Sequence, residues 1–354
     1  MRHMIRRNVT VGITAVLAMV GGLTTAAGGV SNASAGASPA ADIRQTLGVY
    51  PGWGEVETLQ AMEDALGYEL NTVVQFGGRE TPEDFQGSVN GALGGLTSWI
   101  SARANPLYSV SIPLAFGDAD ARSEEGIAQV AVNLQQAAGG AFDAYFLAAA
   151  ESLVAAGVPD AVLRIGHEFD AEWYPWSAHA SCEGYANAFR HVVDVFRSVS
   201  PTFRIEWTTG MRQFDEYADC AYPGDDYVDI IGMTVFDKGG PMRYFSPSTG
   251  TWNDPALVWA EEYLPRIQFH QEFAVAHNKP VAYPEWGLAA TDIGAYGGDN
   301  PTFVRSMAAW LRSLPAEGPG ALAYHAYFLG DNDQFDVRLL PQSWAAFLEE
   351  FGAS

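Results

Sequence analysis

The sequence has few cysteines and few cations. Its 354 residues include 2 cysteines, and 19 Lys and Arg stand against 42 Asp and Glu, for a formal net charge of −23. Two cysteines exclude a disulfide-dense scaffold. A strongly negative field repels phosphate backbones and anionic lipid headgroups. We therefore expect neither nucleic acid nor membrane as a partner, in a chain whose 48% hydrophobic content is that of an ordinary globular protein.

Long apolar runs are also missing, except at the N-terminus. There, Arg2, Arg6 and Arg7 precede an acid-free run of apolar and small residues over positions 9–30, which ends in Ala-Ser-Ala at 33–35. This pattern is typical of a secretory signal peptide with a small-residue cleavage site. A membrane anchor is the alternative, but glycines and threonines dilute the run below what a spanning helix requires.

The predicted export implies removal of the N-terminal segment and an oxidising environment for the two cysteines. We expect residues 1–35 to be removed and residues 36–354 to form one secreted, extracellular domain. In an oxidising compartment, Cys182 and Cys220 are expected to form a disulfide, with two free buried thiols as the alternative.

Short β-branched or aromatic runs alternate with helical patterns along the whole mature chain. Eight strands, each followed by a helix or a turn of one, predict a single (β/α)₈ TIM barrel, with a doubly wound open sheet as the alternative. The predicted strands are residues 46–50, 72–76, 107–114, 161–167, 203–208, 227–235, 280–284 and 321–328. The predicted helical stretches are residues 55–66, 83–103, 124–156, 182–198, 255–277, 302–314 and 343–351.

Two predicted strands, the fourth and the seventh, are each followed directly by a glutamate, Glu168 and Glu285. Strand C-termini carry the active site of such barrels. A carboxylate is expensive to bury without partners, so two of them at one face indicate chemistry. Paired carboxyl groups across a cleft are what glycosidic cleavage needs: one protonates the leaving oxygen, and the other attacks or activates water.

Aromatic residues cluster near the same predicted strand ends. Sugar rings stack their apolar faces on such side chains. We therefore expect sugar contacts from Trp53, Trp173, Trp176, Trp207, Phe236, Trp286 and Tyr327.

Other chemistries fit the sequence poorly. His167-Glu168 lacks the second histidine of a zincin helix, and the glycines at 52 and 54 lack the third of a dinucleotide fingerprint. The acidic run at 331–333 with Asp336 lacks EF-hand spacing, which leaves a calcium site as an alternative to a solvated loop. We expect no metal ion and no cofactor.

The stretch from Arg164 through His167, Glu168 and Trp173 to Trp176, together with Glu-x-Gly at 285–287, resembles glycoside hydrolase family 26. This family comprises retaining (β/α)₈ enzymes of clan A that include β-mannanases, lichenases and β-1,3-xylanases. The resemblance implies that Glu168 is the acid/base and Glu285 the nucleophile. It also implies supporting roles for Arg164, His167, Trp173 and Trp176.

The sequence departs from the family pattern at several positions. Phe236 stands where the family commonly has a tyrosine that hydrogen-bonds the nucleophile, so Tyr283, Arg164 or a water is expected to position Glu285. Asp170 stands where many mannanases have asparagine, and the eighth strand offers Tyr324, His325 and Tyr327 where a tryptophan is more usual. These departures concern contacts that select the sugar.

The resemblance thus predicts a retaining endo-β-glycosidase acting on a polysaccharide, with β-1,4-mannan as the first substrate, and we expect the protein to be a monomer. Mixed-linkage β-glucan and β-1,3-xylan are the alternatives, and a non-catalytic polysaccharide-binding barrel is the alternative from another class. In a retaining enzyme the two carboxyl groups lie ~5–5.5 Å apart. Glu168 is then expected to hold a proton near neutrality, Glu285 to be ionised, and His167 to be neutral.

Overall fold

A computed structural model of the protein describes residues 40–237, 244–246, 248–289, 297–330 and 334–353. Eight parallel strands form a closed barrel in which each strand pairs with its neighbours in the chain and β8 pairs with β1. The prediction of a (β/α)₈ barrel is confirmed. The strands are β1 (Leu47–Tyr50), β2 (Thr72–Phe76), β3 (Leu107–Ile112), β4 (Val162–Ile165), β5 (Arg204–Thr209), β6 (Ile230–Asp237), β7 (Val281–Leu288) and β8 (Leu322–Phe328).

The helices surround the barrel, and several begin with a side-chain cap, such as Ser123 on Gly126 N and Ser181 on Gly184 N. They are α1 (Val56–Leu66), α2 (Pro82–Gly95), α3 (Thr97–Ser101), α4 (Glu124–Ala138), α5 (Asp143–Ala155), α6 (Cys182–Val199), α7 (Phe214–Ala221), α8 (Pro255–Val258), α9 (Leu264–Ala276), α10 (Pro301–Ser313) and α11 (Pro341–Phe351). A π-helical turn (Trp259–Tyr263) joins α8 to α9, and a 3₁₀ turn (Val337–Leu339) precedes α11. A short hairpin (Phe245–Ser246 with Thr251–Trp252) follows β6.

The predicted helical stretch 124–156 is two helices in the structure. Gly140, between α4 and α5, has a φ of 81°, a left-handed conformation that glycine adopts at no steric cost. α7 was not predicted, because its eight residues are too few to show a clear helical period.

An irregularity in the pairing of β7 with β6 decides which side chains enter the barrel. Gly232 pairs with Ala282, but Thr234 pairs with Glu285, so β7 contains one extra residue between these pairs. The extra residue changes the alternation of faces, and Ala282 and Glu285 both point inward. The prediction that strand seven ends at residue 284 was wrong, since β7 continues to Leu288 and Glu285 lies within it.

The predicted disulfide is present between Cys182 and Cys220, whose Cα atoms are 5.4 Å apart. Cys182 is the first residue of α6, and Cys220 lies on α7. The bond therefore ties the helix that follows β4 to the helix that follows β5.

Two further predictions concern residues that the structure does not describe. The predicted signal peptide lies wholly outside the described ranges, as does the Asp-Asn-Asp run at 331–333. Within the described ranges, no helix is both long and apolar enough to cross a bilayer, and no group of three or more His, Cys, Asp or Glu side chains is arranged to hold a metal ion.

Candidate active site

Glu168 follows β4 in a left-handed backbone conformation, with a φ of 50°. Among the described non-glycine residues, only Asn278 shares this feature. Such a conformation costs roughly 1–3 kcal/mol and persists where neighbouring contacts enforce it. Here the Glu168 N–H donates to Thr208 O at 2.8 Å, and its C=O accepts from Ala171 N at 2.8 Å. The fold thus holds Glu168 in a strained position at the end of β4.

The carboxyl group of Glu168 is held from β6. Thr234 Oγ1 donates to Glu168 Oε1 at 2.5 Å, and the Cα of Thr234 is the register partner of Glu285 on β7. Both carboxyl groups also act on the phenol of Tyr174, whose pKa is raised well above its usual value by burial first and then by Glu168 and Glu285. The two glutamates predicted to be catalytic are therefore linked through Thr234 at one side of the barrel mouth.

Arg164 is the group that contacts Glu285. Its side chain is completely buried, and Nη1 donates to Glu285 Oε1. Nη2 donates to Gln75 O at 3.3 Å, and the guanidinium carbon lies 4.7 Å from the ring centroid of Phe76. Since Arg is always protonated, Glu285 has a permanent positive charge beside it.

Of the other groups expected to position Glu285, the structure places Tyr283 elsewhere. Its hydroxyl accepts a hydrogen bond from Trp310 Nε1 of α10 at 2.7 Å, on the outer face of the barrel. Phe236 packs on the rings of Phe328 and Phe335, with centroids 5.4 Å away in both cases.

His167 is a buried, neutral link between the strands and the loop after β4. Its Nδ1 contacts Ser111 Oγ, and its Nε2 lies 3.1 Å from Tyr174 Oη. Burial first, and then the charges of Arg164 and Arg79, lower its pKa well below the usual range. A neutral imidazole can donate at one nitrogen and accept at the other, which suits a positioning role.

Asp170, the predicted departure from the mannanase pattern, is a buried loop anchor. It accepts hydrogen bonds from the N–H groups of Gly210 at 2.5 Å and Gln213 at 3.1 Å. Its carboxylate accepts both bonds from the loop after β5. Burial is the largest influence on its pKa, which is raised.

The aromatic residues that were predicted to contact sugars divide into two groups by their exposure. Trp53 is 51% exposed, and Trp173 and Phe236 are half-buried. The other four have at most traces of exposed surface: Trp176, Trp207, Trp286 and Tyr327. A ring without exposed surface cannot stack on a sugar, so the predicted substrate contacts of these four were wrong.

The physical reason for that error is the direction of the side chains. Trp207 lies on the outer face of β5 and packs on Phe169 and Phe214, under the helices. Trp286 and Tyr327 similarly pack on Phe347 of α11. Trp176 stacks on Tyr174 and donates through Nε1 to His167 O at 2.9 Å, so it supports the site from beneath.

Buried polar residues on the barrel strands were missed by the sequence analysis. Gln75 holds the loop that carries Trp53: its Nε2 donates to Gly52 O, and its Oε1 accepts from Gly54 N, both at 3.1 Å. Thr234 and Glu206 are also buried on strands. Polar side chains at inward positions of apolar strands were the available signal.

Comparison with known proteins adds independent information. The chain matches the model of glycosyl hydrolase family 26 over residues 139–260. It is 27% identical over 226 residues to endoglucanase H of Acetivibrio thermocellus, covering 60% of this chain and 22% of that protein. It is 26% identical over 185 residues to a mannan endo-1,4-beta-mannosidase of Bifidobacterium adolescentis, covering 50% and 17%. The chain thus spans about a fifth of the length of these curated relatives.

A solved structure of a Bacillus subtilis mannanase superposes with a TM-score of 0.57 at 14% identity, covering 88% of this chain and 86% of that one. This likeness extends the shared barrel over nearly the whole described region. The matched segment 139–260 contains β4, β5 and β6, and with them Arg164, Glu168 and Thr234. Over residues 139–260 the chain is similar to glycosyl hydrolase family 26, and over most of its length it shares the barrel fold of a solved mannanase.

Proposed function

We propose that the protein is an endo-acting β-glycosidase that cleaves a polysaccharide with retention of anomeric configuration, and that β-1,4-mannan is its substrate. The observation that carries the proposal is the meeting of two glutamates through Thr234, which bonds Glu168 and pairs in register with Glu285. The relative named as a mannan endo-1,4-beta-mannosidase supports mannan.

The two glutamates take different roles because their partners differ. Glu285 is ionised against Arg164 and attacks the anomeric carbon, forming a covalent glycosyl-enzyme. Glu168 gives its proton to the departing glycosidic oxygen in the same step. Water then attacks the anomeric carbon, Glu168 takes a proton from it, and the bond from the sugar to Glu285 breaks. Both carboxyl groups return to their starting protonation states.

One alternative has specific support. Mixed-linkage β-glucan is favoured by the relative named as an endoglucanase, and β-1,3-xylan remains a third substrate of the resembled family. A non-catalytic polysaccharide-binding barrel is disfavoured, because binding alone gives no reason for a strained glutamate and a buried Arg–Glu pair at the mouth. We further propose that the protein is secreted, on the basis of residues 1–35.

The test is hydrolysis of a panel of β-mannan, mixed-linkage β-glucan and β-1,3-xylan, followed by reducing-sugar release and by viscosity. Endo action predicts that viscosity falls well before reducing ends accumulate. ¹H NMR of the first products should show the β-anomer before mutarotation. Binding to a polysaccharide without any release of sugar would reject the enzyme and favour the binding barrel.

Trp53 is expected to stack on a bound sugar, because it is the exposed ring on the loop held by Gln75. Trp53→Ala should raise KM by about 3–10-fold, which corresponds to the loss of one aromatic contact. kcat should change by less than about twofold if the contact is equally strong in the ground and transition states. Steady-state kinetics on the preferred polysaccharide would measure both.

The matched control is Val132→Ala, which trims an exposed apolar side chain on α4. It should leave both constants unchanged. Equal kinetics for Trp53→Ala and the wild type would remove Trp53 from the proposed binding surface.

A further inference from the structure

We propose that Glu206, a buried glutamate inside the barrel, is a positioning residue that acts through Arg164 on Glu285. The inference rests on the proposed function, since it concerns the residue assigned as nucleophile. Glu206 itself touches no residue that we place in contact with the sugar.

Hydrogen bonds and a neighbouring glycine accommodate the carboxyl group of Glu206 inside the barrel. Glu206 is fully buried on β5; Tyr324 Oη of β8 donates to its Oε2 at 2.6 Å, and Thr208 Oγ1 donates to its Oε1 at 2.8 Å. On β6, a Cβ at Gly232 would lie 2.1 Å from Glu206 Oε1. A glycine on the neighbouring strand therefore gives the carboxyl group its space.

Arg164 is shared electrostatically by two carboxyl groups. It bonds Glu285 directly, and it interacts with Glu206 through space. The groups that act on Glu206 are Arg164 of β4, Glu285 of β7, Tyr324 of β8 and Thr208 of β5. Burial raises the pKa of Glu206 to about 7, against the lowering effects of Arg164, Tyr324 and Thr208. This carboxyl group therefore titrates within the range where enzymes work.

The hydrogen-bond chain around Glu206 can satisfy both of its protonation states. Tyr324 Oη lies 2.8 Å from Ser109 Oγ on β3, and either oxygen can be the donor. When Glu206 is ionised, Ser109 donates to Tyr324 and Tyr324 donates to Glu206. When Glu206 is protonated, it donates to Tyr324 and Tyr324 donates to Ser109. Neither state leaves these buried oxygens without a partner.

Titration of Glu206 consequently changes how strongly Arg164 holds Glu285. Below pH ~7 Glu206 is neutral, and Arg164 is the counter-charge of Glu285 alone. Above that pH an ionised Glu206 competes for the same guanidinium, which loosens the position of Glu285. The wild type should therefore lose kcat/KM on the alkaline side for a reason unrelated to Glu168.

The experiment compares pH profiles of kcat/KM for the wild type, Glu206→Gln and Tyr324→Phe on the preferred polysaccharide. Glu206→Gln keeps the shape of the side chain and is neutral at every pH. The ratio of its kcat/KM to that of the wild type should therefore be constant below pH 6. That ratio should rise by about threefold or more by pH 8.5. Tyr324→Phe removes a bond that lowers the pKa of Glu206, so its alkaline loss should start at higher pH.

A matched control and a readout independent of catalysis complete the test. Glu63→Gln changes another Glu paired with an Arg, away from the barrel interior, and should follow the wild-type profile. The wild type should also lose stability relative to Glu206→Gln as pH rises from about 4.5 to 7, because the pKa of Glu206 is raised on folding. Urea unfolding at several pH values measures this difference.

The outcomes separate the inference from the proposed function. A wild type that hydrolyses no polysaccharide rejects the function, while the stability difference still tests the titration of Glu206. The positioning role is overturned if the wild type is active and the pH profile of kcat/KM has the same shape in Glu206→Gln. A uniform loss of activity at all pH values in that variant would also overturn it, since this indicates a merely structural role.

Discussion

Glu285→Ala is expected to lower kcat by about 10⁴-fold or more, since it removes the group that forms the covalent intermediate. The same change should lower the free energy of unfolding by about 3–5 kcal/mol, because it leaves a fully buried Arg164 without its bonded carboxylate. Hydrolysis assays with the preferred polysaccharide and urea denaturation measure the two effects on one preparation.

Two variants separate these effects. Glu285→Gln should be nearly as inactive, yet it should fold better than Glu285→Ala, because the amide oxygen still accepts from Arg164 Nη1. Glu63→Gln perturbs the pair that Glu63 forms with Arg103, which is similarly shielded from solvent, and should change stability without lowering kcat. Substantial polysaccharide turnover by Glu285→Ala would show that another group is the nucleophile.

Glu168→Ala is expected to lower kcat on a polysaccharide by about 10²–10⁴-fold, the usual contribution of a general acid–base group. The loss should be much smaller on an aryl glycoside with an acidic phenol, because that leaving group departs without protonation. On the aryl substrate the variant should accumulate glycosyl-enzyme, since it also lacks the base that activates water. Comparing pre-steady-state bursts on aryl substrates of different leaving-group pKa measures both consequences.

Glu172→Ala is the matched control for this prediction. Glu172 is a solvent-exposed glutamate four residues further along the chain, with a side chain 49% exposed. Its removal should leave kcat within about twofold. An equal loss of activity on polysaccharide and on activated aryl glycosides in Glu168→Ala would argue against an acid role for Glu168.

The architecture was predictable because strand and helix periods survive in the sequence. β-branched runs alternate with helical stretches, and a carboxylate at the end of an apolar run is unusual enough to mark the site. These signals correctly led to the barrel, and they are the basis for the prediction that Glu168 and Glu285 are catalytic. The disulfide followed from the predicted export and from having two cysteines.

Other features depended on tertiary structure. The inserted residue in β7 reverses the alternation of faces, so no strict period of two would place Glu285 inside the barrel. Trp207 and Tyr327 were predicted to stack on sugars because they lie near strand ends. A strand has two faces, however, and both of these side chains point toward the helices. Glu206 was overlooked because its role depends on Arg164 and Tyr324, which come from two other strands.

The position of Asp170 illustrates the same limit. A difference from the mannanase pattern at this position indicates altered sugar selection when only the sequence is considered. The structure instead shows its carboxylate accepting backbone N–H groups of the loop after β5. Specificity is therefore better sought at Trp53, Trp173 and Phe236, which retain exposed surface.

In the proposed mechanism, Glu285 bonds covalently to the sugar. The most direct measurement is incubation with a 2-deoxy-2-fluoro-β-mannoside that carries a good leaving group, followed by mass spectrometry of the intact protein and its peptides. The wild type should gain the mass of one sugar residue, located on Glu285 and absent from Glu285→Gln. An enzyme that hydrolyses mannan yet carries the label on another carboxylate, or releases the α-anomer first, would contradict this mechanism.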